Sequence, residues 1–447
     1  MNYPLWEVPL IGDSLVIAGI AIIHVFIAHF AVGAGIFNAI TERRAREEND
    51  QALLAFVRSN SFVLILVSMV LGALTGVGIW FSIGLVQPSG TSALIHIFVW
   101  GWAIEWVFFF VEVVAALVYY YSWDRLDGVT HMRVGWIYAG AAWMSLFVIN
   151  GILSFMLTPG DWIETQSVWD AFFNPTFWPS LLLRTLMALA LAGLYTLLMA
   201  TLCREGPERE WLIRYTAKWI MFPLIAMAPA AVWYITQVPV QAQRWFQGAS
   251  APITMFLMLS VLFTAMILAG LFFAALRQPR HVTWVGAMFI MFFGLLATAS
   301  TEMVREAIRR PYIIWEYMYS NSVRVQDAEL VQRTGVLPLA RWERIREVTP
   351  ANHLEAGHAV FRLQCQICHT IRGFNGIEPL TGTWREKIIY DFIGHMHETK
   401  PFMPPFIGTD DERRALAAWI ASLHNGKTKT SKRPMEPHRE DRDQSTS

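Results

Sequence analysis

The chain has 447 residues, 55% of them hydrophobic and only 16% charged, with Lys+Arg and Asp+Glu balanced at 35 each. A soluble domain carries about 25% charged residues, so this composition, with a mean hydropathy of +0.38, excludes an ordinary soluble globule. Zero net charge leaves no electrostatic footprint for nucleic acid, and three cysteines are too few for a disulfide framework.

The N-terminal segment MNYPLWEVPL has no basic stretch before the first apolar run. That run therefore reads as a retained helix, not a cleaved signal peptide. Crossing about 30 Å of hydrocarbon takes roughly 20 apolar residues. Eight segments qualify, at about 13–41, 60–86, 93–121, 132–157, 178–203, 215–236, 253–276 and 282–304. They predict an all-α, polytopic transmembrane bundle over residues 1–305. Basic residues cluster in alternate breaks: Arg43, Arg44, Arg46 and Arg58, then Arg125 and Arg133, then Arg204, Arg209 and Arg214, then Arg277 and Arg280. The intervening breaks carry only Arg244. By the positive-inside rule the N-terminus lies outside, and eight crossings return the chain to the outer face. In a bacterial inner membrane that face is periplasmic.

After a linker at 306–350, residues 351–424 form an outer domain. Its strongest motif is Cys365-Gln366-Ile367-Cys368-His369. This spacing lets two thiols add across haem vinyl groups while the following imidazole becomes the proximal iron ligand. A zinc pair needs further ligands, and no other Cys is near. Met403, in the rigid Lys400–Phe406 segment, is the candidate sixth ligand, with Met396 as its rival. A helix is expected ahead of the motif, over 352–364, and another from Thr409 to about Leu423. The charged, Pro-containing residues 425–447 have the composition of a disordered tail.

Ionisable groups inside spans are costly and mark function. Span one carries His24 and His29. Span three carries His96 near its outer end, then Glu105 and Glu112. Glu105 and Glu112 are seven apart, so they share a helix face about 10 Å apart along the axis. His24 and Glu105 lie at one depth. Imidazoles are common haem ligands, and buried carboxylates ligate iron or relay protons. A single buried His is as readily a hydrogen-bonded structural residue.

Residues 352–424 resemble a class I cytochrome c domain, through CQICH, the Pro379-Leu380-Thr381-Gly382 loop, the Met403 segment and the closing helix. The resemblance implies that the Pro379 carbonyl orients His369. The membrane domain resembles subunit I of the cytochrome bd quinol oxidases over about 300 residues. The matching pieces are His24 with Gly33, Ala103-Ile104-Glu105, Glu112, Trp123-Asp124-Arg125-Leu126, Asn150-Gly151, Pro159, Phe173-Asn174-Pro175 and Glu306–Tyr312. It implies that His24 and Glu105 ligate irons of an oxygen-reducing pair. Glu112 would line that site or a proton path, and Glu306 and Arg309 would lie near haem propionates or a quinol site. The Glu105–Glu112 spacing is one residue shorter than the family's.

Three departures stand out. Arg184 occupies the place of the family's low-spin haem b histidine. His96 is its candidate substitute by depth, with Met255 or Met258 opposite. The outer segment 237–252 is short where the family has a long quinol-binding loop, and the outer cytochrome c domain replaces a ninth helix. Together these imply one covalent haem c, one to three haem b and haem d as a further candidate. The implied partners are a second bd-like membrane subunit, periplasmic c-type cytochromes and quinone. Two functions follow. One is a bd-like respiratory subunit that passes electrons between membrane haems and the c haem, and on to oxygen. The other is a non-catalytic electron conduit or anchor within a larger respiratory complex.

Overall fold

The computed structural model describes residues 6–430. Eight helices are long and apolar enough to cross a membrane: Asp13–Glu47, Gln51–Val86, Val99–Tyr121, Gly128–Phe155, Phe177–Thr201, Pro207–Gln237, Ala251–Leu276 and Trp284–Ala307. They are spans one to eight, in the expected order. Several run past the apolar stretch because their polar ends cap well. Asp50, for example, accepts from the Leu53 amide at 2.9 Å.

The expected third span divides. Pro88 starts a separate helix, Pro88–Ile97, and Phe98 is non-helical at φ −114°, ψ 35°. Proline at the first helical position sets that start. His96 therefore rides on a short outer helix and not on span three.

Lipid gives helices no hydrophobic reason to associate, so close packing of small residues matters. At Gly33 of span one an added Cβ would lie 1.9 Å from the Ala188 carbonyl oxygen of span five. Tyr138 of span four closes over the same region and donates to the Ala31 carbonyl at 2.8 Å. Spans one, four and five thus form the bundle's tight centre.

The outer ends of the spans and the C-terminal domain share one face. Trp6 N–H donates to Leu85 at the end of span two (3.2 Å), and Trp315 N–H to Met156 past span four (2.9 Å). Gln87 donates to the Ser320 carbonyl at 3.3 Å. A small hairpin, Tyr312–Ile314 paired with Met318–Tyr319, leads out of span eight.

In the outer domain, the helices His353–Gln364 and Asp410–Thr430 cross at Gly357, where a Cβ would lie 2.1 Å from the Ala415 carbonyl oxygen. The expected linker 306–350 is not a spacer. Val323, Val331, Val336, Leu337 and Ala340 are buried in the same core as Val360, Phe361, Leu416 and Trp419. The buried Glu412 carboxylate fastens them, accepting from the amides of Val336 (3.0 Å) and Leu337 (2.8 Å). The closing helix continues to Thr430, beyond the expected start of the tail, and 431–447 lie outside the described residues.

Replacing Gly357 with Ala should overpack this crossing and cost about 1–3 kcal/mol. Thermal melting of the full-length protein, followed through the outer domain's absorbance, should show that domain unfolding earlier. An unchanged melt would mean that the crossing can relax.

Candidate functional site

The CQICH loop follows the first outer-domain helix. His369 donates from Nδ1 to the Asn375 carbonyl at 2.9 Å, and Asn375 donates back to the Cys368 carbonyl at 2.8 Å. The orienting carbonyl is therefore Asn375, not Pro379 as the resemblance implied. The loop brings Asn375 round because it turns at that residue, with φ +51°. With Nδ1 engaged, the Nε2 lone pair is left for a metal. Burial also holds the His369 imidazole below its usual pKa, favouring the neutral, metal-binding form. Burial, with the Cys368 charge adding, pushes the Cys365 thiol up to about 12. These residues fit a c-type haem. Met403 lies in the Pro-rich segment, where His397 donates to its carbonyl at 2.7 Å.

The loop is seated on the outer terminus of span one. Ser14 Oγ donates to the Ile367 carbonyl. Gln366 donates to the Trp6 carbonyl at 2.9 Å, and Phe374 N–H to the Leu10 carbonyl at 2.8 Å. From the exit of span eight, the Arg310 guanidinium reaches Cys368 Sγ at 3.3 Å.

Inside the bundle, His24 Nδ1 meets Thr75 Oγ1 of span two at 3.1 Å. Gly76 leaves the ring room, since a Cβ there would lie 3.2 Å from His24 Cε1. Glu105 accepts from Ser145 of span four at 2.7 Å. Glu112 is buried and lies within electrostatic reach of both Glu105 and Tyr138. Tyr138 in turn bonds Ala31, which fixes Glu112 near that level of span one. His24 and Glu105 each lie seven residues further out on their helices. The structure therefore places these two at a common depth, roughly 10 Å outward of Glu112. His24 is held against span two and Glu105 against span four, so the two share a depth and no hydrogen bond joins them; imidazole and carboxylate are donor types that suit a haem iron.

Other expected ligands do not converge. His96 faces outward, its Nδ1 donating to the Ser92 carbonyl of its own helix at 2.7 Å. Met258, 67% exposed, lines with Met255 a shallow outward groove of about 650 Å³ on span seven. No imidazole lines that groove, so His96 and Met258 do not form an axial pair. Arg309 is buried and bonded to Glu306, to Met156 Sδ at 3.0 Å and to the Ile313 carbonyl at 3.2 Å, which ties the exit of span eight to span four.

Sequence reasoning missed two polar groups. At the far ends of spans one, three and four, buried Glu42 accepts from Tyr119 at 2.8 Å, pairs with Arg46 at 2.6 Å and meets His131 at 2.7 Å. Near the outer ends, Arg184, Tyr234, Glu302 and Arg305 lie within electrostatic reach of one another, and His29 within reach of Arg184 and Glu302. The intramembrane position of each charge was the available signal. Their grouping was not visible in the sequence.

Residues 15–243, just over half the chain, match the family described as cytochrome bd terminal oxidase subunit I. Residues 352–420 match that described as cytochrome C oxidase, cbb3-type, subunit III. Both are cytochrome families, and haem binding comes with each. The fold is similar to that of the bd oxidase structure from Geobacillus thermodenitrificans, with a TM-score of 0.59 and 15% identity over 69% of this chain and 88% of that one. No curated protein matches the sequence.

A thioether ligand raises the potential of a haem. Met403→Ala should keep the covalent haem but lower its ferrous:ferric ratio at fixed poise by at least about tenfold, about 59 mV for one electron. Spectroelectrochemistry on the c band reads this. The same loss in Met396→Ala, and not in Met403→Ala, would reassign the ligand.

Proposed function

This chain belongs to the cytochrome bd terminal oxidase subunit I family, and on that premise we propose that it is a respiratory subunit in which membrane haems and a fused outer cytochrome c form one electron relay. The observation that carries this reading is the seat of the CQICH loop on span one. Ser14 bonds the loop directly. His24 lies ten residues further along the same helix, roughly 15 Å at 1.5 Å per residue.

Bound haem supplies one-electron exchange between ferrous and ferric iron. Cys365 and Cys368 tether the c haem against the terminus of span one. His369, with its tautomer set by Asn375, would ligate the iron, and Met403 would be its second ligand. His24 and Glu105 would hold an iron centre within the bundle. Glu112 lies on the same face of span three. Two turns further in, Tyr119 links that helix to Glu42 and the far surface.

A pure conduit has no use for protons. The carboxylates of span three therefore favour a subunit that delivers electrons to a proton-consuming reaction, with oxygen as the acceptor that this chemistry suits. Segment 237–252 folds as the short helical pieces Val240–Arg244 and Trp245–Ala249, a poor basis for the usual quinol entry. Electrons then enter from c-type cytochromes through the outer haem. Arg43, Arg125, Arg204 and Arg277 lie at the span ends opposite the outer domain, and the positive-inside rule puts that domain in the periplasm of a bacterial inner membrane. A second helical membrane subunit completes the assembly.

The purified full-length protein should give a pyridine haemochrome spectrum with one c haem and at least one b haem. Its CO difference spectrum should show a reactive high-spin centre. A c haem alone would reduce the protein to a tethered carrier, and b haem without a CO response would leave the conduit reading.

A further inference from the structure

We propose that His29 is a ligand of a b-type haem held among spans one, five, six and eight. This rests on the preceding reading that the membrane domain carries haem b. It assigns a ligand and a place that neither motif nor depth supplied.

His29 is only 4% exposed. Its Nδ1 lies 2.9 Å from the Val25 carbonyl. A carbonyl only accepts, so the ring proton sits on Nδ1 and the Nε2 lone pair is bare. That nitrogen has no hydrogen-bond partner in its buried position. A bare buried polar atom is costly and calls for an explanation. A lone pair on Nε2, with Nδ1–H fixed by a backbone carbonyl, is the form in which histidine binds metals.

The surroundings select the kind of metal group. Arg184, Glu302 and His24 are the charged and titratable groups that act on His29, and Arg305 and Tyr234 stand next to Arg184. Glu302 pairs with Arg305 at 2.9 Å. Arg184 has Ser180 Oγ at 3.4 Å. Glu306, the next carboxylate along the chain, is engaged with Arg309 and Arg310. The group thus holds more guanidinium than carboxylate. In a membrane interior such a surplus needs an anionic partner, and an iron porphyrin brings carboxylates with its metal. Tightly bound free metal is a poor fit, since the described residues contain no group of three or more His, Cys, Asp or Glu able to hold an ion.

The position is also useful. Arg305 and Glu302 lie five and eight residues before Arg310, roughly 8–12 Å along span eight. Arg310 touches Cys368. His29 lies fifteen residues past Ser14 on span one, roughly 22 Å, so a haem held there would lie on the same side of the bundle as the c haem's attachment point but deeper than His24.

The test compares full-length wild type, His29→Gly and His29→Met by pyridine haemochrome and low-temperature absorbance spectra. The c haem serves as the folding control. His29→Gly should lose about one b haem per c haem, and added imidazole should restore it. His29→Met should shift the b-type α-band. A b:c ratio and b spectrum identical to wild type in both variants would overturn the assignment. Loss of b haem from His29→Gly that imidazole fails to restore, with an unshifted band in His29→Met, would overturn it equally. A wild type without any b haem would instead contradict the functional reading on which the inference rests.

Discussion

Electron transfer between fixed cofactors falls off steeply with distance, so the most consequential contact in this chain is the one that fixes the outer domain against the membrane. Backbone and side chains share it. Phe374 and Leu10 pair directly, and the close approach of Gly373 to the Leu10 carbonyl leaves no space for a Cβ. Gln366 and Ser14 bond across the same seam. Backbone contacts have little rotamer freedom to lose and permit little sliding. The segment 323–340 adds a second fastening, since it belongs to the outer core while its chain emerges from span eight. The outer domain is therefore held at both the beginning and the end of the membrane bundle.

Inside the lipid, polar groups divide by how well they are satisfied. The inner-end group around Glu42 is closed: each partner bonds another within the group. Such a network stabilises the convergence of spans one, three and four. Unpartnered buried atoms occur in both halves: Asn38 Nδ2, Asn60 Oδ1 and Ser122 Oγ toward one end of the bundle, and His29 Nε2 toward the other. Asn38 and Asn60 still bond each other at 2.6 Å. Of these four, only the His29 imidazole nitrogen is a good metal ligand.

Much of this was legible in the sequence for a local reason. A span announces itself through roughly 20 contiguous apolar residues, and all eight did so. Covalent haem attachment is encoded within five residues, and Cys365–His369 needed no tertiary knowledge. The N-terminus and the C-terminal domain lie on one face of the bundle, as an even number of spans requires. What escaped was set by distant contacts. The break at Phe98 turned His96 away from the bundle, although its depth alone suggested a ligand. The fastening of Val336 and Leu337 depends on Glu412, more than seventy residues later. His29 and Arg184 come within electrostatic reach across spans one and five, which pack closely at Gly33.

The relay is tested most directly by injecting one electron into the c haem with a photoexcited surface reductant and following both α-bands in time. A single electrical unit requires the c signal to decay with a matched rise in a b signal, at a rate independent of protein concentration. Decay of the c signal without any b response, or a transfer rate that scales with concentration, would contradict it.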